Sequence, residues 1–291
     1  MMSTPSSLLS PRLLLSALTG LTLMATACGD DASDNDDAAP QDVTLRFQGM
    51  VGDESFACGQ TYAGMGTTDT DVEFHDFKVY VSEVALVTAD GAKVPVELAQ
   101  DGMWQHENVA LLDFEDKTGG CANGTAELND TVVGQVPDGD YTGVEFVVGV
   151  PFELNHDDVA TAPAPLNLSS MYWSWAAGYK FLRVDGQTGD TAGFQLHLGS
   201  TACEGEQGNV SGCSNPNRIQ VSLDDFDPAQ DVIAIDAGQL LADLDLSTKE
   251  SGEAAVCMSF PDHTDCEQVF DKYGLSFGSV EAGVQTFVTK K

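Results

Sequence analysis

The chain has 291 residues, 42% of them hydrophobic, and its 46 acidic against 12 basic side chains leave a formal net charge of −34. That balance speaks against nucleic acid and against anionic membrane surfaces as partners, because both are recognised through a basic patch. It favours solubility and attracts cations, although acids spread through turns are in the first place a solvated coat.

The first element in chain order is a leader. Arg12 precedes the apolar run Leu13 to Met24, which is too short to cross a bilayer and is followed by Ala25-Thr26-Ala27. Residues 1–27 therefore read as a signal peptide. Cleavage before Cys28 by the lipoprotein peptidase would leave that cysteine lipidated. This reading is preferred because the stretch Gly29 to Pro40 is acidic and has almost nothing to bury, so that residues 28–41 are expected to be a disordered tether. The competing reading is a plain secreted protein with a spare cysteine. Lipidation predicts a protein in the periplasm or at the cell surface, attached to a bacterial membrane through its lipid anchor alone.

The remaining residues, 42–291, are enough for one large β-domain or two small ones, and one is the simpler arrangement. Alternation marks Val43 to Phe47 and Phe74 to Val81 as strands, and Val84 to Val87 is joined to Val94 to Leu98 across Asp90-Gly91. Asp90-Gly91 and Asp138-Gly139 both carry the chemistry of hairpin turns. Tyr141 to Val148, Gly193 to Leu198, Arg218 to Leu223 and Val232 to Ile235 continue the pattern. Helix is expected only over Ala237 to Leu244 and Cys266 to Tyr273. Many short strands separated by Gly, Asp and Asn turns predict an all-β, two-sheet antiparallel sandwich with long loops and short helices near the C-terminus.

Seven cysteines less Cys28 leave six, an even set that an oxidising compartment would join as three disulfides. Proximity suggests Cys203 with Cys213 and Cys257 with Cys266, which leaves Cys58 with Cys121. A thiolate metal site is the weaker reading, because no C-x-x-C pair exists.

The passage Pro151 to Ser170 is irregular yet apolar enough to pack over something, and it delivers Met171-Tyr172-Trp173-Ser174-Trp175. Two tryptophans two apart share a face if the segment is a strand, and rings of that size must cover a core, a ligand or a partner. Asp224-Asp225-Phe226-Asp227 and Asp113 to Asp116 do not follow the alternating oxygen-ligand pattern of a calcium loop. No nucleophile elbow or phosphate loop is present, so the chain is not expected to be an enzyme.

Trp104-Gln105, Val109 to Asp116, Gly149-Val150-Pro151-Phe152, Leu154-Asn155-His156, Pro165 to Leu168, Trp173-Ser174-Trp175, Gly178 to Phe181 and His197 to Thr201 follow one another along the chain. In that order these blocks resemble the copper-binding family found beside methanobactin operons, the MbnP-like or four-Cys-motif proteins of metallo-mystery pairs. The resemblance implies a partner, a MauG-like di-haem cytochrome that oxidises the first Trp of W-x-W to kynurenine, after which the protein binds one cuprous ion. The residue so modified here would be Trp173. The resemblance is to a pattern of four cysteines whereas this domain has six, which leaves one pair as an addition and a copper site that does not depend on all of them.

The residues make chemical sense of that implication. Cuprous copper prefers sulfur or imidazole. An indole N–H is a donor only, whereas the ring-opened amine of kynurenine has a lone pair to offer. With the cysteines in bridges the remaining donors are His and Met; the resemblance, whose blocks contain His156 and His197, implies these two as the partners of Trp173, and Trp175 is expected as a pocket wall or electron relay. A capping role for His156 beside Asp157 and Asp158, and a solvent-facing strand position for His197, are the bland alternatives. His75 and His106 are reserve ligands, and His263 is expected to be exposed. The reading from a different class is a lipid-anchored adhesion or carbohydrate-binding sandwich without metal, its aromatics stacking on a ligand.

Overall fold

A computed structural model describes residues 39–122, 125–189, 192–249 and 252–291. The leader, Cys28 and the body of the tether lie outside the described residues. The first strand, Pro40–Val51, begins inside the stretch read as tether, because Pro40 already pairs with Pro137.

Along that strand Val43, Leu45 and Phe47 are buried and their neighbours largely are not, the period of two that lays one face on a core. In its six-stranded sheet the strand order is Val288–Lys290, Val232–Asp236, Pro40–Val51, Thr131–Pro137, Glu97–Leu98, with Glu54–Ser55 added at the edge of the first strand. The second sheet has ten strands. Its spine runs Ile219–Asp224, Tyr141–Val148, Thr70–Thr88, Leu182–Thr188, Gly193–Leu198, Glu253–Cys257. The 19-residue strand Thr70–Thr88 also carries Thr61–Met65, Lys93–Pro95 and Val109–Asp113 as partners. The sheets meet through rings such as Phe47 and Phe146, edge to face at 5.7 Å, each buried side chain of this size adding about 1.5–3 kcal/mol.

The expected sandwich is present, with its short helices Ala237–Leu241 and Cys266–Tyr273. Among the described residues two of its pairings are parallel, Pro40–Val51 with Val232–Asp236 and Gly193–Leu198 with Glu253–Cys257; long excursions separate the partners, as parallel neighbours require. Asp90-Gly91 does close a hairpin, with Gly91 at φ +85°. Asp138-Gly139 does not. It carries the chain from Thr131–Pro137 in one sheet to Tyr141–Val148 in the other, and Gly139 is absent from the positive-φ glycines that a tight hairpin turn would need.

The three disulfides are Cys58–Cys121, Cys203–Cys213 and Cys257–Cys266. The second lies in a ribbon of its own, Thr201–Glu206 with Asn209–Asn215, which forms a separate two-stranded sheet. Among the described residues no helix is long and apolar enough to cross a membrane.

Candidate metal centre

The W-x-W segment forms one side of a small hairpin, Tyr172–Ser174 paired with Gly178–Tyr179. Trp175 falls in its turn and is 36% exposed, so the condition under which the two rings would share a strand face is not met. Gly178 sits at φ +76°, and a Cβ there would run into Asn155. Asn155, buried at the end of the one-turn helix Phe152–Asn155, accepts a hydrogen bond from the Tyr179 amide at 3.0 Å. The irregular passage before the hairpin is therefore a clamp. Further along it, Pro165 and Leu166 take the hydroxyls of Tyr80 and Tyr179 on their carbonyls.

Trp173 is half-buried, with its ring 5.6 Å from Phe260 and 6.3 Å from His197. The ring lies over Gly199, where an added Cβ would come within 2.5 Å of it; only glycine leaves that space. His197 is 5% exposed. Its Nε2–H donates to Asp185 Oδ1 at 2.6 Å, while its buried Nδ1 has no hydrogen-bond partner among the described residues. A carboxylate on one ring nitrogen and a free lone pair on the other is the arrangement found in metal-ligating histidines, so the residues present fit a soft metal ion. Ser259 supports the strand end, donating to the His197 carbonyl at 2.9 Å and accepting from the Gly199 amide at 3.2 Å.

Cross-strand register explains why Asp185 and His197 meet. Asp113, Lys78, Arg183 and His197 stand directly opposite one another across four strands, and Asp76 and Asp185 form the next row on the same face. Arg183 joins the rows, with Nη1 3.0 Å from Asp76 and Nη2 2.7 Å from Asp185. Burial pushes the Asp185 carboxyl up, but the hydrogen bond and charge of His197, with Arg183, outweigh it and hold Asp185 below the usual carboxylate range. At the far end Lys78 is enclosed by Asp76, Asp113 and Glu115. Burial pushes Asp113 up to about 6, and burial with the neighbouring Asp76 lifts Glu115 well above the carboxylate range.

His156 follows the short helix, and its environment differs. Nδ1 is 3.0 Å from the Trp175 carbonyl, which can only accept, so Nδ1 carries the proton and Nε2 the lone pair. Nε2 lies 3.3 Å from Asn155 Nδ2 and 3.5 Å from Cys213 Sγ. Burial lowers its pKa despite the Trp175 carbonyl and Asp157, which favours the neutral ring. The structure thus brings Trp173 and His197 together, and brings His156 to the Trp175 backbone and to a disulfide. His75, half-buried, stands against Gly120 and shares a cleft with Arg183 and Asp185. His106 is near Glu107 at 3.8 Å. His263 is not simply exposed: its Nδ1 accepts from the Met258 amide at 3.0 Å.

Asp185, Gly199, Ser259 and Phe260 are the members of the site that sequence reasoning did not find. Asp185 left a signal, an acid flanked by Val184 and Gly186 inside a strand, but its partner becomes visible only with the register. Phe260 left none, since nothing in a loop between two cysteines indicates where it folds back.

Comparison with known proteins agrees with this architecture. The family model MbnP matches residues 40–259, a span that ends before Cys266. Among solved structures, MbnP from Methylosinus trichosporium superposes with a TM-score of 0.75 and 31% identity, over 86% of this chain and 98% of that one. No curated protein matches. The extent of both matches establishes that this chain belongs to the MbnP family, with a related extracytoplasmic, metal-associated role.

Proposed function

We propose that the chain is an extracytoplasmic copper(I)-binding protein of copper homeostasis, with Trp173, converted to kynurenine by a partner di-haem enzyme of the MauG-like class, completing a site with His197 and His156. The observation that carries this reading is the buried Nδ1 of His197, unpartnered among the described residues, on a ring 6.3 Å from that of Trp173. A buried nitrogen without a partner is costly, and a metal ion would satisfy it.

In this reading each residue has a defined task. Asp185 keeps the His197 proton on Nε2 and leaves Nδ1 free to coordinate. Gly199 and Phe260 set the position of the Trp173 ring. The Trp175 carbonyl holds the proton of His156 on Nδ1 and so leaves its Nε2 as a donor. A bound cuprous ion would supply cargo or storage rather than catalysis, so the chain is the substrate of its partner's chemistry and not an enzyme. The packing of Trp173 against His197 and Phe260 favours this over sugar stacking, which needs an open ring face.

The test is co-expression with a di-haem cytochrome of the MauG-like class, mass spectrometry of the Trp173 peptide, and a count of copper per chain. The expected result is kynurenine at Trp173 and one copper, both lost in Trp173→Phe. Unmodified Trp173 with no copper bound would remove the proposal.

A further inference from the structure

We propose that opening the Cys203–Cys213 disulfide creates a second soft-metal site, in which the two thiolates and the His156 imidazole bind a cuprous ion. Three ligand atoms, one from each of these residues, lie within 4.8 Å of one another, and His156 Nε2 is 3.5 Å from Cys213 Sγ. The Trp175 carbonyl fixes the tautomer that leaves Nε2 unprotonated, so the nitrogen facing the sulfurs is already a base. As a disulfide the sulfurs are poor ligands, whereas thiolates with an imidazole are the donors cuprous copper prefers.

Of the three bridges this is the one built to open without unfolding the protein. Cys203 and Cys213 are both half-buried, while Cys121, Cys257 and Cys266 are fully enclosed. They face each other across a ribbon whose pairing runs from Thr201↔Asn215 to Glu206↔Asn209 and joins neither main sheet. Backbone hydrogen bonds therefore keep the two side chains opposed after the S–S bond is gone.

The redox step needs a dithiol reductant. Its two thiols give up two electrons and two protons and become a disulfide; the Cys203–Cys213 bond breaks and takes them up as two thiols. Metal binding then releases the thiol protons. The site goes beyond the kynurenine site, sharing only His156 with it and needing neither Trp173 nor the haem partner. Copper occupancy would thus have two states, set by the thiol redox state of the compartment.

The test uses protein purified from cells without the haem partner, in which His156 serves no kynurenine site, reduced with dithiothreitol and freed of it under nitrogen. One portion is alkylated and mapped by mass spectrometry; the other is titrated with cuprous ion, supplied as its acetonitrile complex, against a chromophoric chelator. Alkylation at Cys203 and Cys213 alone is expected, with one more copper per chain than unreduced protein binds and thiolate-to-copper charge-transfer absorption. The additional copper should be absent from Cys203→Ser/Cys213→Ser, held at least about ten-fold more weakly in His156→Ala, and retained in Trp173→Phe. A copper count unchanged by reduction, prior alkylation at Cys257 and Cys266, or additional copper surviving in the double serine variant would overturn the proposal. The kynurenine site fails separately, in unreduced protein co-expressed with the haem partner.

Discussion

Asp185 stands 2.6 Å from His197 Nε2, and a carboxylate in that place both orients an imidazole and raises its basicity as a ligand. Asp185→Asn keeps an acceptor of the same shape and removes the charge. It should weaken copper binding by about 10–100-fold in a chelator competition, with the circular dichroism spectrum unchanged; equal affinity would show that His197 does not coordinate. Glu115 makes a different kind of contribution. Because burial raises its folded-state pKa, the folded protein holds a proton that the unfolded chain releases above about pH 4.3. The sign follows: stability from this group is full below that pH and is lost as pH rises toward the raised value. Glu115→Gln imitates the protonated acid and can still accept from the Phe77 amide, bonded at 2.9 Å to Glu115. Denaturant midpoints of the variant should fall less than those of the wild type between pH 5 and 8, measured as a pH series.

At the scale of elements, the W-x-W hairpin is positioned from two sides, by Asn155 beneath Gly178 and by Gly199 beneath Trp173. Gly199→Ala would press a methyl against both the Trp173 ring and the Tyr179 carbonyl, the latter at 2.7 Å. Overpacking of this kind costs about 1–3 kcal/mol. The expected outcome is a lower Tm, an altered Trp emission spectrum, and loss of copper binding; an unchanged emission spectrum would mean that the ring is not seated as described. Strands were the legible elements, because alternation reports the burial of one face and nothing else is needed to see it. Turns were half legible. Asp90-Gly91 and Asp138-Gly139 have the same chemistry, yet one closes a hairpin and the other crosses between sheets, since strand pairing is decided by contacts far outside the turn.

For the whole molecule, the bridges differ in what they constrain. Cys58–Cys121 spans 63 residues, whereas Cys203–Cys213 and Cys257–Cys266 span 10 and 9. By loop entropy the long one is worth about 4 kcal/mol and each short one about 2.5 kcal/mol. Cys58→Ala/Cys121→Ala should therefore lose more stability in urea unfolding than Cys203→Ala/Cys213→Ala; the reverse order would place the constraint in the ribbon. The acidic surface, the even cysteine set and the β-period could be read from the chain, because composition and period two are local properties of the sequence. So could Trp173, His156 and His197 as candidates, through their blocks. Their grouping could not. His197 alternates like a solvent-facing residue, yet it is buried, with the Trp173 ring beside its own, Phe260 behind Trp173 and Ser259 on its carbonyl, all from distant segments. Asp185 reaches it through a strand register, and His156 reaches Cys213 through a separate ribbon. Local sequence determined the strands, the cysteine set and the candidate donors of this protein; which donors face one another was decided by tertiary packing, because those contacts join segments 12 to 62 residues apart.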